Sequence, residues 1–229
     1  MRFFDIIFSF ILIILFLPIL ILVSAIIFFQ DFKSPLYIAE RVGLKFKVFR
    51  MYKFRTMVVN ADKTGVFSTS INDHRVTKLG HFLRRFKLDE LPQLFNVLTG
   101  AMSFVGPRPN VRIEVEKYND DEKTLLDVRP GITDFSSIVF SDEGKILQNS
   151  KNPDYDYNIL IRPWKSRLGL FYIKHKSLIL NIIIIFFTII SIFNRLLSLE
   201  ILSNYLRKLG AENDLVEISL RKIELTYQS

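Results

Sequence analysis

The chain has 229 residues, contains no cysteine and has only 3 histidines. The lack of cysteine excludes disulfide bonds and thiolate metal sites. The histidines, His74, His81 and His175, lack a ligand spacing such as H-x-x-x-H, which argues against a zinc site. The sequence also has no G-x-G-x-x-G motif and no P-loop. The common phosphate-binding loops of nucleotide-binding proteins are therefore absent from the sequence.

Apolar residues, in contrast, make up 49% of the chain and cluster in two blocks. The first block, residues 6–29, is interrupted only by Ser9, Pro18 and Ser24. As a straight helix it would be roughly 36 Å long, against about 30 Å of bilayer hydrocarbon, so it predicts a retained membrane anchor. Pro18 near its middle predicts a kink. Composition alone leaves open a spanning helix or a helix broken at Pro18 that enters and leaves by one face.

The second apolar block, residues 178–193, would be about 24 Å long as a helix, which is short for a membrane span. The polar residues in and around this block fall within about 100° of one another on a helical wheel. They are Lys174, Ser177, Asn181, Thr188, Ser191 and Arg195. This pattern predicts a helix in the membrane interface with its polar stripe towards the protein body. A second span is the alternative.

The chain carries a formal net charge of +8, with Lys and Arg concentrated between residues 33 and 117. Such a surface attracts anions, including phosphates, nucleotides, acidic lipid headgroups and nucleic acids. Several basic residues follow the first apolar block closely, which predicts a cytoplasmic protein body.

Periodicity predicts a mixed α/β chain that is mostly helical with short strands. Short strands are expected over residues 37–39 and 46–57, around a turn at Gly43. Helical spacing recurs over residues 78–86 and 91–98, and Gly100 is a plausible helix stop. Residues 112–126 predict a charged helix, and residues 132–140 a strand or an ordered loop.

Two adjacent carboxylates, Asp89 and Glu90, precede the helix predicted over residues 91–98. Asp89 stands where an ordinary helix N-cap belongs, with Pro92 tolerated in the first turn. Neighbouring helical residues differ by about 100° in direction, so both carboxylates can reach one site without sharing a role. One could attack phosphorus as a nucleophile, while the other holds a hard cation such as Mg²⁺.

Basic residues surround this pair in the sequence. Lys53 and Arg55 alternate with apolar or aromatic neighbours and would share one face of a strand. Arg84 comes shortly before the pair, and Arg108 stands between two prolines that restrict the backbone. A guanidinium on a stiff turn suits bidentate phosphate binding. Each alone is typical of a solvated surface charge, but together they predict a site for an anionic substrate.

Three stretches resemble the bacterial sugar transferases that act as monotopic phosphoglycosyl transferases. They are "ERVGLKFKVFRMYKFRTM", "DHRVTKLGHFLRRFKLDELPQLFNVLTGAMSFVGPRP" and "VRPGIT". The resemblance covers residues 3–140. It implies that Asp89 attacks the sugar-linked phosphate of a UDP-sugar, that UMP leaves, and that the phosphosugar passes to a polyprenyl phosphate such as undecaprenyl phosphate. Glu90 would bind Mg²⁺, and Lys53, Arg84 and Arg108 would lie around the phosphates.

The resemblance also implies a re-entrant anchor broken at Pro18. The expected parts are a membrane anchor (1–32), a cytosolic catalytic domain at the membrane surface (33–177), and an interfacial helix with a helical tail (178–229). The expected location is the cytoplasmic face of the bacterial inner membrane, in envelope glycoconjugate assembly. Membrane lipid is an expected partner, nucleic acid is not, and an oligomer is left open.

Two departures from the family pattern stand out. Leu17 precedes Pro18 where the family usually has serine, and residues 134–138 differ after "RPGIT", in a loop that we expect to help select the donor sugar. The sugar itself stays open. The competing interpretation is a non-catalytic membrane protein whose basic face binds anionic lipid or nucleic acid. In that case Asp89 and Glu90 would be dispensable.

Overall fold

The computed structural model describes residues 2–61, 68, 70, 73–223 and 225. Most of these residues are helical, and the strands are short, as predicted. The helices are α1 Arg2–Asp31, α2 Lys78–Arg85, α3 Gln93–Thr99, α4 Arg112–Val115, α5 Asp120–Lys123, α6 Phe135–Val139, α7 Glu143–Ile146, α8 Pro153–Asp156, α9 Arg162–His175, α10 Leu178–Phe193, α11 Arg195–Lys208 and α12 Asn213–Ser219. The strands are β1 Leu36–Val42, β2 Val48–Phe54, β3 Ser103–Val105 and β4 Gly131–Thr133.

The chain forms two compact units that interleave along the sequence. The first unit comprises residues 1–61, 74–104 and 109–132, and the second comprises residues 62–73, 105–108 and 133–229. The predicted division into anchor, catalytic domain and C-terminal part concerns placement relative to a membrane, and it stays a prediction. Residues 224 and 226–229 of the predicted C-terminal part lie outside the described residues.

The first unit contains an antiparallel hairpin in which Leu36 faces Phe54 and Val42 faces Val48. The connection places two non-glycine residues in the left-handed region, Lys45 at φ 52° and Phe46 at φ 59°. Left-handed residues in short connections let the chain reverse in keeping with the strand twist. The predicted pair of strands around Gly43 is therefore confirmed.

Helix α1 is continuous over its 30 residues, with Pro18 inside it. The helix is thus not interrupted where the re-entrant form was expected to break. Proline removes a single N–H donor, and the turns on either side retain their own hydrogen bonds. We therefore correct the expected break to a proline within a continuous helix, and a change of axis direction at Pro18 stays a prediction.

Polar contacts tie the start of α1 to the first unit. The Arg2 guanidinium donates to the carbonyl oxygens of Val97 at 2.5 Å and Leu98 at 2.7 Å. These carbonyls belong to the last turn of α3, where helical carbonyls lack partners within the helix. One turn further along α1, the buried Asp5 carboxylate accepts from the Ser103 hydroxyl at 3.0 Å. The N-terminus of α1 is therefore fastened to both α3 and β3.

The later half of α1 packs on the same unit through apolar contacts. Leu20, Val23 and Ile27 form a buried cluster with Phe54 of β2 and Leu83 of α2. Spacings of three and four residues place these α1 side chains on one helical stripe. Most of the apolar length of this helix is exposed: in its most apolar window, of mean hydropathy 3.4, only 17% is buried. Within the described residues, α1 is the one helix long and apolar enough to cross a membrane.

The second unit is helical around a buried tyrosine. The Tyr172 hydroxyl on α9 donates to Asn181 Oδ1 at 2.9 Å and lies 3.1 Å from the carbonyl oxygen of Val105. The Thr188 hydroxyl on α10 lies 2.7 Å from that of Thr133. Asn181 and Thr188 thus turn towards the interior of their unit, as the predicted polar stripe requires. The opposite face of α10 exposes large apolar side chains: Ile179, Ile182, Phe186, Ile189 and Phe193.

An ion pair holds α12 to α9 within the second unit. The Arg167 guanidinium donates to the two carboxylate oxygens of Asp214 at 2.6 and 2.9 Å, and it also bonds Glu212. The hydrogen bond from Arg167 lowers the pKa of the Asp214 carboxyl, and the same bond raises the pKa of the guanidinium. Because both side chains are well exposed, solvent screens their attraction, and the ion pair adds little to the free energy of unfolding.

Two sequence predictions of secondary structure were wrong in extent. Residues 112–126 form two short helices and a 3-10 turn, because Asn119 starts a new helix with a capping box that includes Glu122. Residues 132–140 form the end of β4 and then α6, because the Asp134 carboxylate accepts from the Ser137 backbone N–H and caps that helix. In both places a side-chain cap begins a helix that the sequence pattern did not indicate.

Candidate active site

The site begins with a buried amide that fastens α3 to β2. Asn96 Oδ1 accepts from the Tyr52 backbone N–H at 2.9 Å, and Asn96 Nδ2 donates to the carbonyl oxygen of Arg50 at 2.7 Å. The side chain therefore satisfies both backbone groups of a strand edge that β1 does not cover. These bonds fix the register of α3 against the strand that carries Lys53.

The two carboxylates lie in the 3-10 turn Leu88–Glu90 that leads into α3. Lys87, at φ 55°, opens this turn in the left-handed region and separates it from α2. The Lys53 ammonium lies 3.0 Å from Glu90 Oε1, with both side chains about one-fifth exposed at 22% and 17%. Asp89 is buried, with 8% of its surface exposed. The structure thus brings Lys53 and Glu90 into contact beside a sheltered carboxylate.

Arg84 is held on α2 in the same unit. Its Nε donates to the Thr56 hydroxyl at 2.9 Å, and Thr56 is buried. The helix lies directly against the Thr56 backbone because Gly80 has no side chain: a Cβ at Gly80 would stand 2.0 Å from the Thr56 carbonyl oxygen. Gly80 therefore permits the close approach that positions Arg84.

The other two predicted cations are placed differently. Arg55 forms two bonds to the Asp31 carboxylate, at 2.5 and 2.6 Å, and its Nε donates to the Ser34 carbonyl oxygen. Arg55 directly follows β2, so these contacts connect the C-terminal end of α1 to the end of that strand. Arg55 therefore helps to hold the first unit together. Arg108 belongs to the second unit and is partly exposed between two buried prolines. A role for either residue in binding substrate stays a prediction.

The loop expected to help select the donor sugar is a helix. Asp134 is 1% exposed and accepts from the hydroxyls of Ser136 and Ser137 at the start of α6. Phe135 and Ile138 are fully buried. Most of these side chains therefore build the interior of the second unit, and a role of this segment in selecting the donor sugar stays a prediction.

The residues present fit a magnesium ion held jointly with substrate. Mg²⁺ is usually bound by one or two carboxylates together with substrate phosphates and water. Glu90 supplies a carboxylate of that kind, next to Asp89 in the same turn. The described part of the chain contains no group of three or more His, Cys, Asp and Glu side chains able to hold a metal ion. The phosphates would therefore complete the ligand set.

The family model for bacterial sugar transferases matches residues 1–195. The match covers both carboxylates, all four predicted cations and α1. The chain belongs to the bacterial sugar transferase family.

Three relatives of this sugar transferase carry informative names. It is 32% identical over 188 residues to the UDP-N-acetylgalactosamine-undecaprenyl-phosphate N-acetylgalactosaminephosphotransferase of Aeromonas hydrophila, covering 81% of this chain and 41% of the relative. It is 36% identical to the undecaprenyl-phosphate galactose phosphotransferase of Salmonella typhimurium, covering 69% of this chain and 33% of the relative. It is 32% identical to the exopolysaccharide production protein ExoY of Sinorhizobium fredii, covering 82% of this chain and 83% of the relative. The chain thus spans about two fifths or less of the first two relatives.

Sequence reasoning missed the residues that position the carboxylates and cations. Asn96 and Thr56 are uncharged and stand among apolar or basic neighbours, so neither matched a catalytic pattern. A signal for Asn96 does exist, because it is a polar side chain on the apolar face of a short helix. The role of Thr56 depends on the approach of α2, which only the fold reveals.

Replacing Gly80 with alanine tests the close approach of α2 to Thr56. The added Cβ must push the helix from the backbone, so we expect a loss of about 3 kcal/mol or more in the free energy of unfolding. Thermal unfolding in detergent measures this. Gly210→Ala is the comparison, because Gly210 has φ 80° and nothing within 4 Å of an added Cβ. There we expect only about 1–2 kcal/mol of backbone strain. Equal Tm values for Gly80→Ala and the unchanged chain would contradict the argument.

Proposed function

We propose that this sugar transferase moves a sugar-1-phosphate from a UDP-sugar to undecaprenyl phosphate through a covalent intermediate on Asp89. The observation that carries the proposal is the sheltered Asp89 carboxylate next to the Lys53–Glu90 pair. The names of two relatives, with a UDP-sugar in one and undecaprenyl phosphate in both, support the choice of substrates.

The reaction has two balanced steps. A carboxylate oxygen of Asp89 forms a bond to the phosphorus that bears the sugar, and the bond from that phosphorus to the UMP oxygen breaks. UMP leaves with the electron pair, and an acyl phosphate remains on Asp89. An oxygen of undecaprenyl phosphate then attacks the same phosphorus. The bond from that phosphorus to the Asp89 oxygen breaks, and the Asp89 carboxylate is regenerated.

The cations lower the cost of bringing anions together. Two phosphates and two carboxylates repel one another, so positive side chains must surround them for binding and reaction. Lys53 provides an ammonium at Glu90, and Arg84 provides a guanidinium fixed by Thr56. When bound at Glu90 with the diphosphate, Mg²⁺ would supply further charge neutralisation.

The contacts of α1 favour a re-entrant anchor over a spanning one. At about 45 Å for its 30 residues, α1 is long enough to place its ends on opposite faces of a membrane. However, Arg2 at one end and Asp31 at the other both bond polar groups of the first unit. We therefore place both ends on the cytoplasmic face of the bacterial inner membrane, with the residues around Pro18 immersed. The apolar face of α10 would lie in the interface.

The absence of native cysteine makes this topology testable by single substitutions. We expect Phe3→Cys and Lys33→Cys to react with an impermeant maleimide only when the cytoplasmic face is exposed, because a re-entrant helix keeps both ends there. Labelling of intact cells and of inside-out vesicles separates the two faces. Leu15→Cys, near Pro18, is the control and should stay unlabelled in both. Labelling of Phe3→Cys in intact cells would establish a spanning helix.

Replacing Asp89 with asparagine tests the nucleophile. We expect turnover to fall by about three orders of magnitude or more, because the amide cannot form the acyl phosphate. Intact mass after incubation with Mg²⁺ and UDP-galactose, UDP-glucose or UDP-N-acetylgalactosamine should show a phosphosugar adduct on the unchanged chain and none on Asp89→Asn. Asp120→Asn, at an exposed surface pair, is the matched control. Normal turnover by Asp89→Asn would reject Asp89 as the nucleophile.

Replacing Glu90 with glutamine tests the metal ligand. We expect the Mg²⁺ concentration for half-maximal rate to rise on the order of tenfold, because the amide lacks the charge that attracts the ion. A magnesium titration of the rate measures this. Glu116→Gln, at an exposed surface pair with Arg112, should titrate as the unchanged chain does. An identical titration for Glu90→Gln would remove Glu90 from the ligand set.

A further inference from the structure

Gln93 has an unusual environment for an amide side chain. It is the first residue of α3 and is fully buried, at 0% exposure. Neither its Nε2 nor its Oε1 has a hydrogen-bond partner among the described residues. A buried polar group left without a partner costs about 1–3 kcal/mol, so such groups are rare and call for an explanation.

Gln93 follows Asp89 by about one helical turn. Leu91 and Pro92, which separate the carboxylates from Gln93, both have right-handed helical backbone angles. The Leu91 N–H donates to the Leu88 carbonyl and the Leu94 N–H to the Leu91 carbonyl, so the hydrogen bonds here join residues three apart. Asp89 and Gln93 are thus separated by slightly more than one turn. Gln and Asp side chains about one turn apart can form hydrogen bonds. The Gln93 amide is therefore placed about one turn from the carboxylate assigned as nucleophile.

Packing alone does not explain the choice of glutamine. The neighbouring Leu94 and Val97 are buried apolar residues on the same short helix. An unbranched apolar side chain of similar length, such as methionine, would fill the space without the cost of burying an amide. Asn96, the other buried amide of α3, differs because both of its polar atoms are bonded to β2. Gln93 thus carries a polar group for which the fold has no visible use.

We propose that Gln93 is a positioning residue for the reaction at Asp89. Its Nε2–H donates to one carboxylate oxygen of Asp89 during the reaction and leaves the other oxygen to attack the phosphorus that bears the sugar. Catalytic hydrogen bonds are often long or misaligned without substrate and form only in the reacting complex. This inference rests on the proposed function, because it requires Asp89 to be the nucleophile.

The test uses the first half of the reaction, followed as exchange of labelled UMP into whichever of UDP-galactose, UDP-glucose and UDP-N-acetylgalactosamine the unchanged chain accepts. For Gln93→Met we expect an exchange kcat lower by about 10- to 100-fold, because the attacking oxygen is less well oriented. KM for the UDP-sugar should be unchanged, and Tm unchanged or higher. Leu94→Met is the matched control on the same helix and should leave kcat, KM and Tm unchanged.

A second variant gives a readout that a structural role would not produce. The side chain of Gln93→Glu can donate a hydrogen bond only when protonated. We therefore expect its exchange rate, relative to that of Gln93→Met, to rise as the pH is lowered. A flat ratio between these variants across the pH range would overturn the proposal.

The remaining outcomes separate the two hypotheses. A lower Tm for Gln93→Met, or a raised KM with unchanged kcat, would show that the amide serves the fold or ground-state binding, and would overturn the positioning role. Exchange retained by Asp89→Asn would instead overturn the proposed function. Loss of exchange in Asp89→Asn with normal exchange in Gln93→Met would leave the nucleophile in place and reject only the role of Gln93.

Discussion

The geometry of the site depends on the two hydrogen bonds by which Asn96 fastens α3 to β2. A strand edge offers alternating N–H and C=O groups, and one amide side chain can bond both kinds. This contact sets how far α3 slides along β2, and hence whether Glu90 meets Lys53. A shift of α3 by one residue along β2 would displace Glu90 by about 3.3 Å relative to Lys53. A pair of neutral hydrogen bonds thus controls the meeting of charged groups.

The anchor and the site are parts of one packing arrangement. The apolar stripe of α1 covers Phe54 and Leu83, and its polar ends bond the elements at either side of the carboxylates. Phe54 directly follows Lys53, and Leu83 directly precedes Arg84. The same contacts that bury the helix therefore orient two of the cations. The long apolar helix α1 thus forms part of the core of the first unit.

The sequence predicted the features that depend on local residue patterns. It did not predict those that depend on contacts between residues far apart in the chain. The hairpin, α2, α3 and α10 follow apolar periodicity, and the Gly100 stop is realised in a left-handed residue at φ 92°. The long charged helix and the strand after residue 132 failed because side-chain caps at Asn119 and Asp134 began new helices. The proximity of Lys53 and Glu90 needed the resemblance, since 37 residues separate them. The isolation of the Gln93 amide could come only from the fold.

The buried contact between Asp5 and Ser103 has a consequence for how the chain is made. Asp5 belongs to the most apolar segment of the protein, yet its carboxylate is satisfied by a hydroxyl almost a hundred positions later in the chain. A charged group in that segment is costly to leave in hydrocarbon without a partner. Packing of α1 on the first unit gives Asp5 its partner, so we expect α1 and this unit to fold together. A version without its first thirty residues would expose Phe54, Leu83 and the carbonyls that Arg2 bonds, and we expect it to be poorly soluble.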